Sequence, residues 1–377
     1  YSLVYLVYIF FIPDSEIFMV FQLISSEISS LKNPYLYLSD FFLNMDLIVS
    51  IIFTILSSIL IYLSYLMYRY GINSSSQFQK EKGIPVIGIS GDSGSGKTTL
   101  SDNLVNIFGH NNTTVIHGDD VHRWERGHEK WSKYTHLNPI SNRLHSHYSQ
   151  ILKLKKNNTI YRSHYDHNTG KFTKALEIVP QGYIIDEGLH TFLINRKALH
   201  DLKIYIDPDS KLNRYWKIER DVSERGYDIE KVLQTIEKRK PDREKYLLPQ
   251  KEYADIIISI LPPENAISAI DFKNKNKYKV KFIIKSDINV DPLIEVLEKI
   301  TKATLDFEYI DQNHQQIIFS GTYYSFTTKQ IFRELDLDYT DYDIKIHGFK
   351  NGVIGVIQLF VLYCLIEKIK QDIESGN

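Results

Sequence analysis

At 377 residues the chain can hold one large domain or two modest ones, and 43% hydrophobic against 24% charged residues excludes disorder on a large scale. With 45 Lys and Arg against 46 Asp and Glu, the overall charge favours neither nucleic acid nor an anionic membrane surface as partner, so any anion site must be local. The single cysteine, Cys364, can close no intramolecular disulfide, which fits a reducing compartment.

The N-terminal region, residues 1–44, is hydrophobic, but Tyr1 to Pro13 covers only about half a membrane span; Met45 offers an alternative start. From Leu47 to Tyr68 there is no charged residue. Such a run is long enough to cross a bilayer, so a transmembrane helix is predicted over residues 45–70. Asp46 precedes it and Arg69, Lys80 and Lys82 follow, and the positive-inside bias then puts the remainder in the cytoplasm. The expected localisation is membrane-anchored, or soluble and cytoplasmic if the N-terminal segment is not native. Residues 71–83 are polar and Ser-rich and read as a linker.

A domain over residues 84–265 follows. Pro85 to Ser90 is a short apolar run, and Thr98 to Phe108 spaces Leu100, Leu104, Val105 and Phe108 at helical intervals. Between them stands GDSGSGKT, Gly91 to Thr98, in the strand-loop-helix setting that a phosphate-binding loop requires. Gly91, Gly94 and Gly96 let the backbone fold around an anion with its N–H groups inward, and the helix adds its positive end. Lys97 reaches the outer phosphates, and the Thr98 hydroxyl can ligate Mg²⁺. The nucleotide-binding set is thus Gly91, Asp92, Ser93, Gly94, Ser95, Gly96, Lys97, Thr98 and Thr99. No Asn/Thr-Lys-x-Asp element that reads guanine is present, which favours ATP.

Further apolar runs at Thr113 to Ile116, Tyr183 to Ile185, Leu202 to Ile206 and Ile256 to Ile260 alternate with helical stretches near Asn142 to Leu154, Ser210 to Glu224 and Ile229 to Lys238. This predicts an α/β fold, a three-layer αβα sandwich with a parallel sheet. The second strand ends in HGDDVHRWER, Gly118 to Arg126 included, at the sheet edge where open α/β folds put their ligands. A carboxylate there can take a hydroxyl proton, and His122, Arg123 and Arg126 make a cationic patch suited to a phosphorylated acceptor; a solvated loop with an N-cap Asp fits equally well. The third strand runs into IIDEGLH, whose acidic pair suits Mg²⁺. The segment Lys217 to Gly226, KIERDVSERG, reads either as an ion-paired solvent face or as a lid whose cations close over the transferring phosphoryl group, with Arg239 and Arg243 joining it.

Taken in order, these elements resemble the phosphoribulokinase and uridine kinase family over about Ile84 to Leu261. The patterns Asp119-x-x-His122-Arg123-x-x-Arg126, Glu187-Gly188-Leu189-His190 and Lys217-x-x-Arg220-Asp221-x-x-Glu224-Arg225-Gly226 are closer to its phosphoribulokinase branch, as is YRSHYDHNTGKFT, Tyr161 to Thr173. The resemblance implies that Asp119 and Asp221 are the catalytic acids, that Glu187 serves Mg²⁺, and that His122, Arg126 and Arg225 contact a sugar phosphate. It also implies that Lys217 and Arg220 stabilise the transition state, and Lys97 of the loop is counted with the catalytic residues. ATP and a small hydroxyl-bearing acceptor are the partners expected, with no nucleic acid; the alternatives are a uridine or cytidine kinase, and a non-catalytic ATP-binding regulatory protein at the membrane.

Residues 277–377 read as a C-terminal α+β unit outside this resemblance. Lys279 to Ile284 and Gln316 to Ser320 look like strands, Pro292 to Lys302 and Gly352 to Ile373 like helices, the last a core helix interrupted by Gln358. The His spacings at His145 and His147, and at His164 and His167 with Asp166, come without cysteine and do not make a zinc pattern. Trp124, Trp131 and Trp216 read as packing residues or acceptor-pocket walls rather than nucleotide-stacking groups.

Overall fold

The computed structural model describes residues 54–62, 83–194, 199–223, 225–263, 266, 272 and 278–374. Residues 54–62 are helical, and their apolar side chains, Ile55 and Leu56 among them, are exposed. The remainder of the predicted membrane helix over 45–70, the region 1–44 and the linker up to residue 82 lie outside the described residues.

The larger unit is built on one sheet of eight strands. Their sequence order begins with β1 (Val86–Gly91) and β2 (Thr113–His117). Two small hairpins follow, β3 (Ile160–Arg162) with β6 (Leu176–Ile178), and β4 (Tyr165–Asp166) with β5 (Lys171–Phe172). The sheet then continues with β7 (Tyr183–Gly188), β8 (Leu202–Ile206), β9 (Ile256–Leu261), β10 (Lys279–Lys285), β11 (Thr304–Tyr309) and β12 (His314–Ser320). The spatial order is β11-β12-β10-β9-β8-β1-β7-β2. From β2 to β9 all neighbours are parallel, and β10, β12 and β11 continue the same sheet antiparallel. The sheet is therefore mixed where a parallel one was expected, because the strands of the C-terminal segment extend it instead of pairing apart.

Alternation along the strands explains the layers. In β1 and β7, Val86 and Ile184 join one core cluster with Ile151 and Leu154 of helix α2 (Leu144–Lys155). Ile87, Ile89 and Ile185 join another with Leu104 and Phe108 of the preceding helix, α1 (Lys97–Phe108). Two more helices, α3 (Ser210–Ser223) and α4 (Ile229–Asp242), stand beyond β8. The C-terminal helices are α5 (Asp291–Ile300), α6 (Thr328–Glu334) and α7 (Gly352–Glu374). Helix α7 is long and apolar enough to cross a membrane but is mostly buried, with Phe360 stacked on Phe282 of β10 at 4.2 Å. This is the core helix that its interruption at Gln358 predicts.

The buried Gln358 side chain does not break α7; it joins it to α1. Its Nε2 donates to the Asn103 carbonyl at 2.6 Å, and its Oε1 accepts from the Lys350 backbone at 2.8 Å. Nearby, Lys345 N donates to the Ile107 carbonyl at 2.6 Å. The C-terminal segment is thereby fastened along the helix that follows the glycine-rich loop.

Candidate functional site

The loop after β1 needs its glycines for different reasons. A Cβ on Gly91 would lie 2.6 Å from the Ile206 carbonyl, whereas Gly94 and Gly96 adopt φ of 79° and 98°, a region costly for other residues. Helix α1 starts immediately after Gly96 with no side-chain cap, so its first backbone N–H groups are available to an anion. Lys97 Nζ bends back to donate to the Gly91 and Asp92 carbonyls at 3.1 and 2.7 Å. Burial lowers its pKa against the opposing pull of Glu187, Asp92 and Asp119.

Glu187, at the end of β7, accepts from Thr98 Oγ1 at 3.2 Å through Oε1, and His117 Nδ1 lies 2.7 Å from that same oxygen. The hydrogen bond to Glu187 raises the His117 pKa despite the cost of burying its charge. Glu187 Oε2 is buried without a hydrogen-bond partner. An unpartnered carboxylate oxygen beside the loop threonine suits a hard divalent cation, so Thr98 and Glu187 fit Mg²⁺.

Asp119 and Asp120 leave β2 together and diverge. Asp120 is tied down by Arg162 Nε at 3.3 Å, His164 Nδ1 at 2.9 Å and the Tyr165 backbone at 2.8 Å, fastening the β4–β5 hairpin to the sheet. Asp119 is 41% exposed and meets His167 Nε2 of that hairpin at 3.0 Å. Partial removal from water by the cleft walls pushes its pKa up, but the His167 hydrogen bond and the charges of His122, His167 and His136 outweigh it and hold the carboxyl well below its ordinary range. His122 is buried, with Nδ1 2.9 Å from Asn142 Oδ1 and its ring edge-on to Tyr165 and Trp131. Arg126 donates to the His167 carbonyl at 2.7 Å.

Helix α3 brings the cations. Arg220 donates to Asp221 Oδ1 at 2.8 Å and to Ser93 Oγ at 3.3 Å, and Arg225 lies 3.4 Å from the same Asp221 oxygen. Lys217 is buried behind the loop, its Cβ 3.2 Å from where a Cβ on Gly94 would stand. Burial, with Arg239 and Arg220 nearby, pushes its pKa down to about 8 against the pull of Asp92 and Asp221. Asp92 accepts from Arg243 Nε at 2.5 Å, so Arg243 closes on the loop itself.

One cleft of about 1720 Å³ joins these parts. Ser93 to Thr99, Asp119, His122, Arg126, Glu187, Arg220, Asp221, Arg225 and Arg239 line it, while Gly91, Asp92 and Lys217 form the layer behind. Arg123 is elsewhere: its guanidinium donates to the Ile140 and Asn142 carbonyls and braces a loop. Glu224 lies outside the described residues. The sequence reading passed over His117 and His136 and set His164 and His167 aside with the unpromising metal spacings, yet all four line the cleft. His117, immediately before Gly118 and Asp119 at a strand end, carried the one local signal.

Beneath the cleft, Asp186 is buried between His147 Nε2 at 2.6 Å and His200 Nε2 at 2.8 Å, which hold it strongly ionised although burial opposes this. Arg162 bridges His147 Nδ1, Asp120 and the His117 carbonyl. The strand ends that present Asp119 and Glu187 therefore rest on one ionic network.

The family described as Phosphoribulokinase / Uridine kinase matches this chain over residues 86–268. Phosphoribulokinase of Synechocystis sp. is 35% identical over 206 residues, 54% of this chain and 61% of that protein. The chloroplastic phosphoribulokinase of Spinacia oleracea is 36% identical over 48% of this chain and 49% of its own length. The chain thus spans about half to three fifths of these relatives. Uridine kinase of Borrelia duttonii is 34% identical and matched over 86% of its length, covering 46% of this chain. Among solved structures, phosphoribulokinase from Rhodobacter spheroides superimposes with a TM-score of 0.52 at 18% identity, covering 76% of this chain and 99% of that one, a likeness of fold.

Proposed function

Because this chain belongs to the phosphoribulokinase and uridine kinase family, we propose that it transfers the γ-phosphoryl group of ATP to a hydroxyl of a small metabolite, a sugar phosphate. The observation that carries this is Asp119, kept ionised in the same cleft as the phosphate loop. A carboxylate so placed takes the proton of the acceptor hydroxyl while its oxygen bonds to the γ-phosphorus and the bond to the β–γ bridging oxygen breaks, releasing ADP. Lys97 exchanges its loop carbonyls for phosphate oxygens, Arg220 and Arg225 meet the charge spread over the transferring group, and Lys217 adds positive charge from behind the loop. Asp221, held by two arginines, orients them. Mg²⁺, held by Thr98 and Glu187, would supply positive charge to the phosphate oxygens.

A phosphorylated acceptor is supported by the cations and histidines around Asp119. Arg126 keeps N–H groups beyond those given to the His167 and Asn168 carbonyls, and His122 faces the same space. The aromatic edges of Tyr165 and Trp131 beside His122 favour, as the second reading, a nucleoside acceptor such as uridine or cytidine. ADP release from a panel of sugar phosphates and nucleosides tests both. Arg126→Ala should raise the KM for a phosphorylated acceptor by about tenfold or more, and an unchanged KM argues for the nucleoside. If the chain binds MgATP and turns over no acceptor, the regulatory reading replaces the kinase. Attachment to a membrane through residues 45–70, with the catalytic unit in the cytoplasm, rests on the charge-free run Leu47 to Tyr68, and carbonate extraction of cell membranes checks it.

A further inference from the structure

Two loops of the cleft are tied to neighbouring residues at one helix end. Asp242 is the last residue of α4, and Arg243 opens the π-helical turn that follows it, Arg243–Leu247. Arg243 reaches the phosphate loop: its Nε donates to Asp92 Oδ2 at 2.5 Å, Asp92 Oδ1 accepts from the Ser93 backbone at 2.6 Å, and the Asp92 carbonyl holds Lys97. Asp242 reaches the other way, to residues 135–142. Its Oδ2 accepts from Thr135 Oγ1 at 2.8 Å and its Oδ1 from Asn138 Nδ2 at 3.3 Å. That second loop carries His136 into the cleft and, through Asn142, holds His122 beside the acceptor space. The helix end between the two loops is anchored. Leu247 packs with Leu137 and Leu189, and the buried Gln250 accepts from Ser90 Oγ and the Phe192 backbone while donating to the Leu189 carbonyl.

We propose that Asp242 and Arg243 are positioning residues that couple the two substrate sites, so that a triphosphate on the phosphate loop tightens residues 135–142 around the acceptor. The inference rests on the kinase reading above and adds to it how filling one site prepares the other. When Lys97 leaves the Asp92 carbonyl for phosphate oxygens, the Asp92 peptide is free to shift, and its ion pair carries that shift to Arg243. Asp242 shares a peptide bond with Arg243 and moves with it. Because Gln250 and Leu247 fix the chain just beyond, the motion passes to Thr135 and Asn138 instead of being lost along the helix. The second loop has room to respond. A cavity of about 160 Å³ separates Trp131, Tyr134 and His136 from Thr235 and Arg239 of α4, and closing it moves His136 relative to Asp119. A π turn at this joint is in keeping with the role, since such turns gather where helices serve function. By linkage, the acceptor must tighten the nucleotide by the same factor.

Backbone amides report the tie directly. Leu137 N donates to Thr135 Oγ1 and Ile140 N to Asn138 Oδ1, both at 3.2 Å, and both acceptors are the side chains that Asp242 holds. Hydrogen exchange of the full chain, read by mass spectrometry over residues 135–142 with and without saturating MgATP and no acceptor, tests the coupling. In the wild type MgATP should slow exchange there by about fivefold or more. Asp242→Asn should bind MgATP within about threefold of wild type by calorimetry and lose most of that slowing. Thr135→Val breaks the same bond from the other side and should act alike, which keeps the test valid if the first variant fails to fold. Arg243→Lys keeps the ion pair and should retain the response, where Arg243→Leu loses it. A variant that merely loosened the loop would raise exchange equally with and without MgATP, and that result would overturn the proposal. So would a wild-type loop whose exchange ignores bound MgATP. A wild-type chain that binds no MgATP would overturn the kinase reading, and the coupling with it.

Discussion

His167 Nε2 lies 3.0 Å from Asp119 Oδ2, joining the β4–β5 hairpin to the end of β2. With Asp119 as proton acceptor, Asp119→Asn should lower kcat by about 10²–10⁴-fold and leave MgATP affinity nearly unchanged. The base works only when deprotonated, and its pKa is held below the ordinary carboxylate range, so it imposes no loss of rate near neutrality. His167→Ala removes a group that lowers that pKa. The acid limb of kcat/KM should then move to higher pH, and a profile that stays in place would remove Asp119 from the role.

Lys217 is a cation below its pKa and neutral above it. With that pKa pushed down to about 8, the free enzyme should lose kcat/KM as pH rises through this value. Lys217→Arg keeps the charge at all working pH and should abolish the limb, whatever it costs in rate. A limb unchanged in the arginine variant would assign it to another group.

Glu187→Gln removes charge from the candidate Mg²⁺ site while keeping the hydrogen-bonding shape. The Mg²⁺ concentration for half-maximal ADP release should rise by about 10–100-fold, the range seen when groups supporting a bound metal are altered. An unchanged requirement would show that the metal sits elsewhere.

Asp186→Asn leaves His147 and His200 facing a neutral group and should cost about 3–5 kcal/mol of unfolding free energy in urea titrations. Because the folded pKa of Asp186 is depressed, its contribution is fully present above the unfolded carboxylate value near ~4 and is lost as pH falls toward the folded one. The difference in stability between wild type and variant should therefore shrink under acid conditions. A constant difference would mean the carboxylate is not what stabilises the network.

Legibility in the sequence followed the range of each interaction. The glycine-rich loop, α1 and the acidic strand ends could be read because each is a local pattern whose meaning needs few distant partners. Strand β10 was legible for the same reason, since Val280, Phe282 and Ile284 are buried while Lys279 and Lys281 alternate with them on the other side, the pattern of a strand covered on one face; that it joins β9 was not. Strand β11 gave no such signal, since Thr304 to Tyr309 is an edge strand with most side chains exposed. His167 reaches Asp119 across 48 positions, and Arg123 turns from the cleft through contacts with Ile140 and Asn142; neither outcome has a local pattern to carry it.

The antiparallel extension sets a limit on how this protein can be divided. Cutting at residue 268, where the family match stops, would strip β10 from the pairing edge of β9 along Ile256 to Leu261 and uncover the apolar side of α1 now sealed by α7. A bare, largely apolar edge strand beside an uncovered core is a template for self-association. The smallest soluble fragment of this fold should accordingly extend through α7, and the C-terminal hundred residues are better regarded as an integral part of the sheet and core than as an appendage to them.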